Sequence, residues 1–343
     1  MTNGSYLNRR DLLRATTLSL GALLLPRPGS AQSPINERLA GNLFPVHDPC
    51  LVKEGDTYHL FSTGQAADAT GLLPWRTSKD LVNWELRGKV FDAIPKWAQE
   101  AVPGTVGMWA PDIIHINGEY RLYYSCSTFG SNRSVIGLIA NRTLDSASPD
   151  FQWEDRGLVI ESQRNDDFNA IDSNVLVDRE GQHWLTLGSF WSGIKLFPID
   201  ARTGKPRPGE KRKYSLASRP VPDKAPAAIE APFLIERNGY YYLFVSFDYC
   251  CRGASSSYYI VAGRSKSVTG PYVGRDGKSM LDGYGTQILR GDRRFRGPGH
   301  NAIFREGSND YLVYHAYDAE HDGRPTLRIA PVDWSDGWPV VSS

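Results

Sequence analysis

A repeated pattern of apolar and polar positions organises most of this chain. In each copy, an acidic residue, a Trp or a His opens a short apolar strand, a turn glycine follows, and an aromatic-rich strand comes next. The turn glycines are spaced 63, 63, 58 and 68 residues apart, at Gly55, Gly118, Gly181, Gly239 and Gly307. Repeats of strands and turns near this length are typical of propeller blades. The five copies therefore predict an all-β fold, a five-bladed β-propeller.

The pattern within each copy also assigns strands to places in a blade. The first strand is short and apolar, as expected of an innermost strand, and the second alternates aromatic and aliphatic residues. A third segment ends near an aromatic residue that we expect to pack between blades, at Trp84, Trp153, Tyr272 and Trp338. No stretch shows a sustained helical period, which agrees with an all-β fold.

In a propeller, equivalent residues of the repeats lie around one central axis, so the repeat predicts a candidate site there. Inner strands of a propeller line its central channel and run in the same direction, so the residues that open them approach the axis on one face. These openers are Asp48, Trp109 with Asp112, Asp172, Glu230 and His300. One acidic residue at a strand start is usually a turn former or a cap. Three at equivalent positions indicate a shared cavity, because clustered buried carboxylates repel one another and need a compensating function.

Composition and charge narrow the choice of partners. The chain has 343 residues, of which 41% are apolar, enough to bury a large core. Its 39 basic and 38 acidic residues give a net charge of +1. This balance offers no electrostatic reason for binding nucleic acid or a membrane. We expect neither partner, and we expect a monomer.

The N-terminal segment has the features of an export signal. Basic residues in Asn8–Arg14 precede an apolar run over Ala15–Leu25, and small residues end at Ala31. The paired Arg9 and Arg10 resemble a twin-arginine signal, with an ordinary secretory signal or a retained anchor as alternatives. We therefore predict a signal peptide over residues 1–31 and a single propeller catalytic domain over residues 32–343. The protein is expected to be exported, to the periplasm or outside the cell.

Four cysteines are too few and too irregular for a small disulfide scaffold. Cys50 and Cys126 lie inside strand patterns and are predicted to be buried thiols. The adjacent Cys250 and Cys251 are compatible with two reduced thiols, with a vicinal bridge, or with one partner in a longer link. The sequence does not choose between these states.

Three converging carboxylates match the requirements of glycoside hydrolysis. This reaction needs one protonated carboxyl to donate to the leaving oxygen and one ionised carboxylate to activate water or attack the sugar. A third carboxylate beside the acid raises the pKa of that acid by like-charge repulsion and orients it. Nearby aromatic residues suit either the apolar faces of sugar rings or packing between blades: Trp109, Phe129, Phe190 and Trp191.

Seven motifs of the sequence, in this order, resemble those of a known family. It is similar to glycoside hydrolase family 43, in particular to its endo-1,5-α-L-arabinanases, over about residues 42–340. The resemblance depends on seven motifs in the same order: His47–Pro49, Met108–Asp112, Ala170–Asn174, Gly188–Gly193, Ile229–Phe233, Ser246–Gly253 and Gly297–Asn301. The family is a five-bladed propeller, in agreement with the number of blades obtained from the spacing.

The resemblance implies an inverting hydrolase that cleaves internal α-1,5 linkages of arabinan. It implies that Asp48 is the general base, Glu230 the general acid, and Asp172 the carboxylate that tunes and positions the acid. It also implies a metal ion, usually calcium, near His300 and bound largely through waters. The positions that would contact the sugar chain are Trp109, Phe129, Asn174, Ser189 and Phe190. Inversion predicts carboxyl groups about 6.5–9.5 Å apart in the acid and base pair.

Three other functions stay open at the level of sequence. An exo-acting α-L-arabinofuranosidase or β-xylosidase of the same family would use the same three carboxylates. A non-catalytic carbohydrate-binding propeller would have no reason to keep all three at the channel mouth. A retaining, fructan-type hydrolase on the same architecture would need its two carboxyl groups only about 5–5.5 Å apart.

Overall fold

Five β-sheets form the blades of a propeller, which confirms the predicted fold class. The computed structural model describes Met1, residues 34–220 and residues 227–342, so the predicted signal peptide falls almost wholly outside the described residues. Two short α-helices also occur, α1 (Ile35–Arg38) and α2 (Lys96–Ala101). None of the helices among the described residues is long and apolar enough to cross a membrane.

The first two blades contain ten strands. Blade 1 has the order β1-β6-β5-β3-β2, with β2 as its inner strand, and blade 2 has the order β10-β9-β8-β7-β4, with the two-residue β4 paired to its inner strand β7. Pairing is antiparallel except between β1 and β6. The strands are β1 (Ala40–Gly41), β2 (Cys50–Glu54), β3 (Thr57–Phe61), β4 (Gly64–Gln65), β5 (Leu72–Ser78), β6 (Asn83–Phe91), β7 (Gly107–Ile116), β8 (Glu119–Cys126), β9 (Ser134–Asn141) and β10 (Glu154–Ser162).

Blades 3, 4 and 5 are simple four-stranded antiparallel sheets whose strands follow chain order from the inside outwards. Blade 3 holds β11 (Asn174–Val177), β12 (His183–Leu187), β13 (Ile194–Ile199) and β14 (Tyr214–Ala217). Blade 4 holds β15 (Ile229–Arg237), β16 (Tyr240–Phe247), β17 (Tyr259–Ser265) and β18 (Thr286–Arg290). Blade 5 holds β19 (Phe295–Glu306), β20 (Asn309–Asp318), β21 (Arg324–Asp333) and β22 (Val340–Val341).

The marker glycines occupy the turn after the inner strand in every blade. All five have positive φ, between 56° and 77°. Residues with a Cβ enter this left-handed region only at a cost, whereas glycine adopts it freely. The spacing of these glycines in the sequence therefore reports a real backbone requirement that repeats once per blade.

The apolar core is divided into five clusters, each between two neighbouring blades. Strand β16 shows how the alternation builds them, since side chains along a strand point alternately to its two faces. Leu243 and Val245 pack towards blade 3, whereas Tyr242 and Phe244 pack towards blade 5. The aromatic residues predicted to pack between blades do so, at Trp84, Trp153, Tyr272 and Trp338.

The ring closes through the segment that precedes blade 1. Asn36 in helix α1 accepts a hydrogen bond from the Ile329 N–H of β21 at 2.7 Å, and its amide nitrogen donates to the Tyr314 hydroxyl. The Val46 N–H donates to the Pro325 carbonyl, and the Leu327 N–H donates to the Leu43 carbonyl. These backbone bonds also join this part of the chain to β21. Blades 1 and 5 share a buried apolar cluster around these contacts. Hydrogen bonds and apolar packing thus close the ring between blades 1 and 5 of the described residues, and these two blades share no strand.

Candidate active site

A left-handed backbone residue recurs at the opening of every inner strand. The residues are Asp48, Ala110, Asp172, Ala231 and His300, with φ between 46° and 59°. In β7, β15 and β19 the strand pairing also shifts register at this place, as a β-bulge does. Bulges beside active sites redirect side chains, and non-glycine residues in this region cost about 1–3 kcal/mol each. The same local distortion therefore recurs beside each residue that the sequence predicts to face the axis.

Side chains of the preceding blade hold these residues in place. Three hydroxyl groups accept the N–H of the left-handed residue in the next blade: Thr63 from Ala110 at 2.8 Å, Ser125 from Asp172 at 3.1 Å and Ser246 from His300 at 2.9 Å. In blade 1, the N–H of Asp48 donates to Nδ1 of His315 at 3.1 Å. In these four blades, a side chain of the neighbouring blade thus holds the left-handed residue.

These turns surround one cavity of about 1100 Å³ that is lined by residues from all five blades. Ligand pockets usually measure about 300–1,000 Å³, so this one has room for several sugar residues. It brings together most of the residues predicted from the sequence: Asp48, Trp109, Phe129, Asp172, Ser189, Phe190, Trp191, Glu230 and His300. Phe129 is 79% exposed and Trp191 38% exposed, so both rings are available to a ligand.

Asn174 does not line the cavity, which corrects its prediction as a sugar contact. Its side chain is buried, donates to Asp112 at 3.3 Å and accepts from the Leu234 N–H at 2.9 Å. The Asp112 carboxylate also accepts the Val175 N–H at 2.8 Å. Asn174 is the first residue of strand β11, and its contacts join blades 2, 3 and 4 without reaching the residues that line the cavity.

Asp48 has the surroundings of an ionised base. Its Oδ1 lies 2.8 Å from Nδ1 of His47 and 3.1 Å from Nδ1 of His300, and its Oδ2 accepts from the Thr63 hydroxyl at 2.6 Å. Burial raises the pKa of the Asp48 carboxyl, but the charges and hydrogen bonds of His300 and His47 outweigh it and lower this pKa well below its usual range. Asp48 therefore carries a negative charge at neutral pH.

Glu230 has the opposite tendency. Its carboxyl accepts from the Tyr258 hydroxyl at 2.7 Å and from the Ser189 hydroxyl at 2.8 Å. Burial raises the pKa of Glu230, and the negative charge of Asp48 adds to this rise, although the two hydroxyl donors partly offset it. A carboxyl with a raised pKa keeps the proton that a general acid must donate.

Asp172 lies beside Glu230 and contacts the peptide that follows it. The Ala231 N–H donates to Oδ2 of Asp172 at 3.1 Å, which is the contact expected of a residue that orients the acid. Burial raises the pKa of Asp172, and repulsion from Glu230 and Asp48 raises it further. Two neighbouring carboxyls of this kind titrate as a pair, because ionising one makes ionising the other less favourable. The pair therefore retains a proton.

His300 lies at the centre of this charge cluster. Burial alone would lower the pKa of its imidazole, but Asp48, Asp172 and Glu230 raise it to about 9. Its side chain is therefore a cation that balances the carboxylates around it. The structure places His300 in the cavity as predicted, in direct contact with Asp48.

Several side chains in this network were not predicted from the sequence. His315 stacks on His47 at a ring distance of 3.8 Å, and the Tyr317 hydroxyl lies 2.7 Å from Nε2 of His47. Tyr258 contacts the acid, Glu230. These residues lie on β20 and just before β17, outside the repeated strand openings, and an isolated Tyr or His gives no local signal. His47 was part of a motif, but its role became visible only with its partners.

The structure also selects between the alternatives left open for the cysteines. Cys250 and Cys251 form a vicinal disulfide in the cavity wall. Cys50 and Cys126 are buried and free, as predicted. Tyr249 next to the disulfide approaches Phe190 at a ring distance of 6.2 Å, so the bridge belongs to a surface that continues the aromatic lining.

A family model described as glycosyl hydrolases family 43 matches residues 44–339. The chain belongs to this family. It is therefore a glycoside hydrolase, in agreement with the carboxyl groups that meet in the cavity. The sequence-based resemblance to family 43 is thus confirmed, and the matched region contains Asp48, Asp172, Glu230 and every described strand except β1 of blade 1 and β22 of blade 5.

Individual family 43 relatives resemble the chain along most of its length. An extracellular endo-α-(1→5)-L-arabinanase of Bacillus subtilis is 45% identical over 295 residues, covering 86% of this chain and 87% of that one. An extracellular exo-α-(1→5)-L-arabinofuranosidase of Cellvibrio japonicus is 43% identical over 304 residues, covering 86% of each. The structure of a Cellvibrio cellulosa α-L-arabinanase complexed with arabinohexaose aligns with a TM-score of 0.82 at 41% identity, covering 88% and 96%.

Proposed function

We propose that this family 43 hydrolase cleaves internal α-1,5-L-arabinofuranosyl linkages of arabinan with inversion at the anomeric carbon. The observation that carries the proposal is the opposed electrostatics of two carboxyls in one cavity. Charges and hydrogen bonds lower the pKa of Asp48 well below its usual range, whereas burial and the charge of Asp48 raise the pKa of Glu230. Relatives with this overall structure are named as arabinanases, including one complexed with arabinohexaose.

The proposed reaction is a single displacement. Asp48 takes a proton from a water molecule as the water oxygen attacks the anomeric carbon of the sugar. Glu230 gives its proton to the glycosidic oxygen as the bond to that oxygen breaks. Asp172 holds the peptide after Glu230 and so orients the acid, and the two carboxyls titrate as a pair because ionising both is unfavourable.

Apolar surfaces from three blades support binding of a chain rather than of one sugar. Trp109 and Phe129 form a pair in blade 2 with ring centroids 5.2 Å apart. Blade 3 contributes Phe190 and the exposed Trp191, and blade 4 contributes Tyr249. Aromatic rings present large apolar faces at low entropic cost, and several of them along one cavity suit successive sugar residues.

Product lengths from linear arabinan test this proposal. An endo-acting enzyme should release oligosaccharides of mixed length in the first minutes, with a rapid fall in the viscosity of the polymer. Early products can be separated by anion-exchange chromatography. Release of a single short product from the start, with little change in viscosity, would contradict internal cleavage.

An exo-acting α-L-arabinofuranosidase is the second candidate. One observation favours it, the 43% identity to the Cellvibrio japonicus protein that is named as an exo-enzyme. The same catalytic carboxyls would serve either mode of attack. The chromatographic experiment separates the two directly, and an aryl arabinofuranoside substrate adds a check, since only an enzyme that accepts a terminal sugar should hydrolyse it rapidly.

We also propose a calcium ion held near His300, mainly through waters. Nδ1 of His300 contacts Asp48, which leaves Nε2 for a ligand. The hydroxyl of Ser173, which follows Asp172, and the amide of Asn301, which follows His300, are buried and have no hydrogen-bond partner among the described residues. The clusters of three metal-ligating side chains found in the described part of the chain do not include His300, so the ion's oxygen ligands would be largely water.

A bound calcium ion would supply fixed positive charge at the floor of the cavity. Calcium can bind through Nε2 only after the His300 ring loses a proton. Because the pKa of His300 is raised to about 9, calcium affinity should increase with pH. Elemental analysis of dialysed protein should find calcium, and a strong chelator should lower activity that added calcium restores. A metal-free protein with full activity would contradict this proposal.

Export is proposed for the same protein. Two relatives are named as extracellular enzymes, and residues 1–31 carry the signal features described above. Sequencing the N-terminus of protein recovered from the periplasm and from the medium tests both the cleavage after Ala31 and the final location.

A further inference from the structure

The vicinal disulfide fixes an unusual backbone conformation at the cavity wall. Cys251 has a φ of 63°, in the left-handed region that residues with a side chain seldom adopt. Joining two adjacent cysteines closes a small covalent ring, which restricts the backbone torsions of both. Once the bond is broken, nothing covalent holds Cys251 in this conformation.

Cys251 is connected to the proposed general base by a continuous series of hydrogen bonds. Its N–H donates to the Tyr317 hydroxyl at 2.7 Å, and that hydroxyl lies 2.7 Å from Nε2 of His47. Nδ1 of His47 in turn lies 2.8 Å from Oδ1 of Asp48. The Tyr317 hydroxyl therefore contacts both the Cys251 N–H and Nε2 of His47. Because an ionised carboxylate only accepts hydrogen bonds, the Nδ1–H of His47 donates to Asp48.

We propose that the Cys250–Cys251 disulfide is a redox-sensitive positioning element for Asp48, acting through Tyr317 and His47. The inference rests on the proposed role of Asp48 as the base. A dithiol transfers two electrons and two protons to the bond, which yields two cysteine thiols and the oxidised, cyclic form of the dithiol. The freed Cys251 backbone leaves the left-handed region and withdraws its N–H from Tyr317.

The expected consequence is a partial loss of turnover rather than its abolition. Asp48 keeps its contacts with Thr63 and His300 after reduction, so the carboxylate stays in the cavity. His47 is then no longer held firmly beside Asp48. Small errors in the placement of a catalytic group lower the reaction rate strongly. We expect kcat to fall about tenfold, with KM changed by less than about twofold.

The two remaining cysteines allow the reduction to be followed cleanly. Cys50 and Cys126 are 3% and 0% exposed, and burial raises the pKa of both thiols, that of Cys126 to about 12. Buried thiols of this kind react slowly with alkylating reagents. Alkylation of the native protein after reduction, read by peptide mass spectrometry, should therefore label Cys250 and Cys251 alone.

The experiment compares kcat and KM on linear arabinan for the oxidised wild type, the reduced wild type and a C250S/C251S variant. The reduced wild type and the variant should show the same loss of kcat, and the reductant should not affect the variant. Reduction of the wild type requires no substitution, so this arm does not depend on how a variant folds. An unchanged kcat, or a change confined to KM, would overturn the inference.

A second comparison tests the path through Tyr317. Y317F should lower kcat to a similar extent, and combining it with C250S/C251S should add little, because both changes break the same connection. Y314F is the matched control, since Tyr314 is buried on the same strand but its hydroxyl accepts from Asn36 away from the cavity. Losses of kcat that multiply in the combined variant would overturn a shared path.

Failure of this inference can be told from failure of the proposed function. If D48N loses activity while C250S/C251S keeps a normal kcat, Asp48 remains the base and only the disulfide's role is refuted. If D48N keeps its activity, the catalytic assignment itself fails, and the disulfide cannot act by positioning this carboxylate.

Discussion

At the scale of single residues, different surroundings shift the pKa values of two carboxyls in opposite directions. Asp48 faces His47 and His300, whose interactions lower its pKa. Glu230 is buried and lies near the negative charge of Asp48, and both effects raise its pKa. The sequence could predict the three carboxylates because they recur at strand openings, but not the groups that tune them. His315 accepts the Asp48 N–H across 267 positions of the chain, and only the closed ring brings the two together.

Replacing Asp48 tests its role as base without removing its bulk. D48N should lower kcat/KM by roughly 10²- to 10⁴-fold, the usual contribution of a positioned general base. Circular dichroism should show an unchanged fold, since the amide fills the same space. Initial rates on linear arabinan provide the measurement, and near-native activity would refute the assignment.

The pH profile tests the assignment of the acid. Activity should fall as pH rises through the raised pKa values of the Glu230 and Asp172 pair, because the acid then loses its proton. The Ser189 hydroxyl bond favours the ionised form of Glu230, so S189A should move the alkaline limb of kcat/KM to higher pH.

The matched control for this shift is S192A. Ser192 belongs to the same loop, but its hydroxyl bonds to Asp167 outside the cavity. It should leave the alkaline limb in place. A profile of S189A that coincides with the wild type, or that moves to lower pH, would contradict the proposed protonation of Glu230.

At the scale of elements, the inner strand of each blade opens with a left-handed residue. The marker glycines could be predicted because a turn requires them and their spacing is visible in the sequence. The left-handed residues at the strand openings could not be predicted, because Asp, Ala and His have no preference for this backbone conformation strong enough to reveal it in the sequence. The burial of Asn174 could not be predicted either, because its partners Asp112 and Leu234 lie in the two neighbouring blades.

Removing one of the hydroxyl groups that hold these openers tests their function. S125A leaves the buried Asp172 N–H without an acceptor, which should cost about 1–3 kcal/mol of unfolding free energy. It should also lower kcat, because Asp172 orients the acid. Urea denaturation and initial rates measure the two effects.

The exposed Ser308 offers a control with the same substitution. S308A should alter neither stability nor kcat measurably, as expected for a surface change away from special contacts. If S125A behaves like S308A, the hydroxyl groups between blades do not hold the catalytic turns.

At the scale of the whole molecule, five apolar clusters between blades assemble the ring, and one of them closes it. The alternating strands and the aromatic ends of the blades predicted this packing from the sequence. Closure by Asn36 could not be predicted, because its partners Tyr314 and Ile329 lie almost a full chain away. Blade number is thus a local property of the sequence, whereas closure depends on the finished ring.

Closure has its own test. N36A leaves the Ile329 N–H without its acceptor between helix α1 and blade 5, and should lower the unfolding free energy by about 1–3 kcal/mol. E37A changes the next, exposed residue of the same helix and should have little effect. Equal stabilities for the two variants in urea denaturation would show that Asn36 does not secure the ring.

The most direct test of the whole account is the anomeric configuration of the first product. Proton NMR of linear arabinan during the first turnovers should show the β-anomer of the new reducing end, because water activated by Asp48 attacks opposite the bond that Glu230 protonates. Initial appearance of the α-anomer would require two successive displacements through a covalent intermediate. That result would contradict the assignment of Asp48 and Glu230 as a base and acid pair.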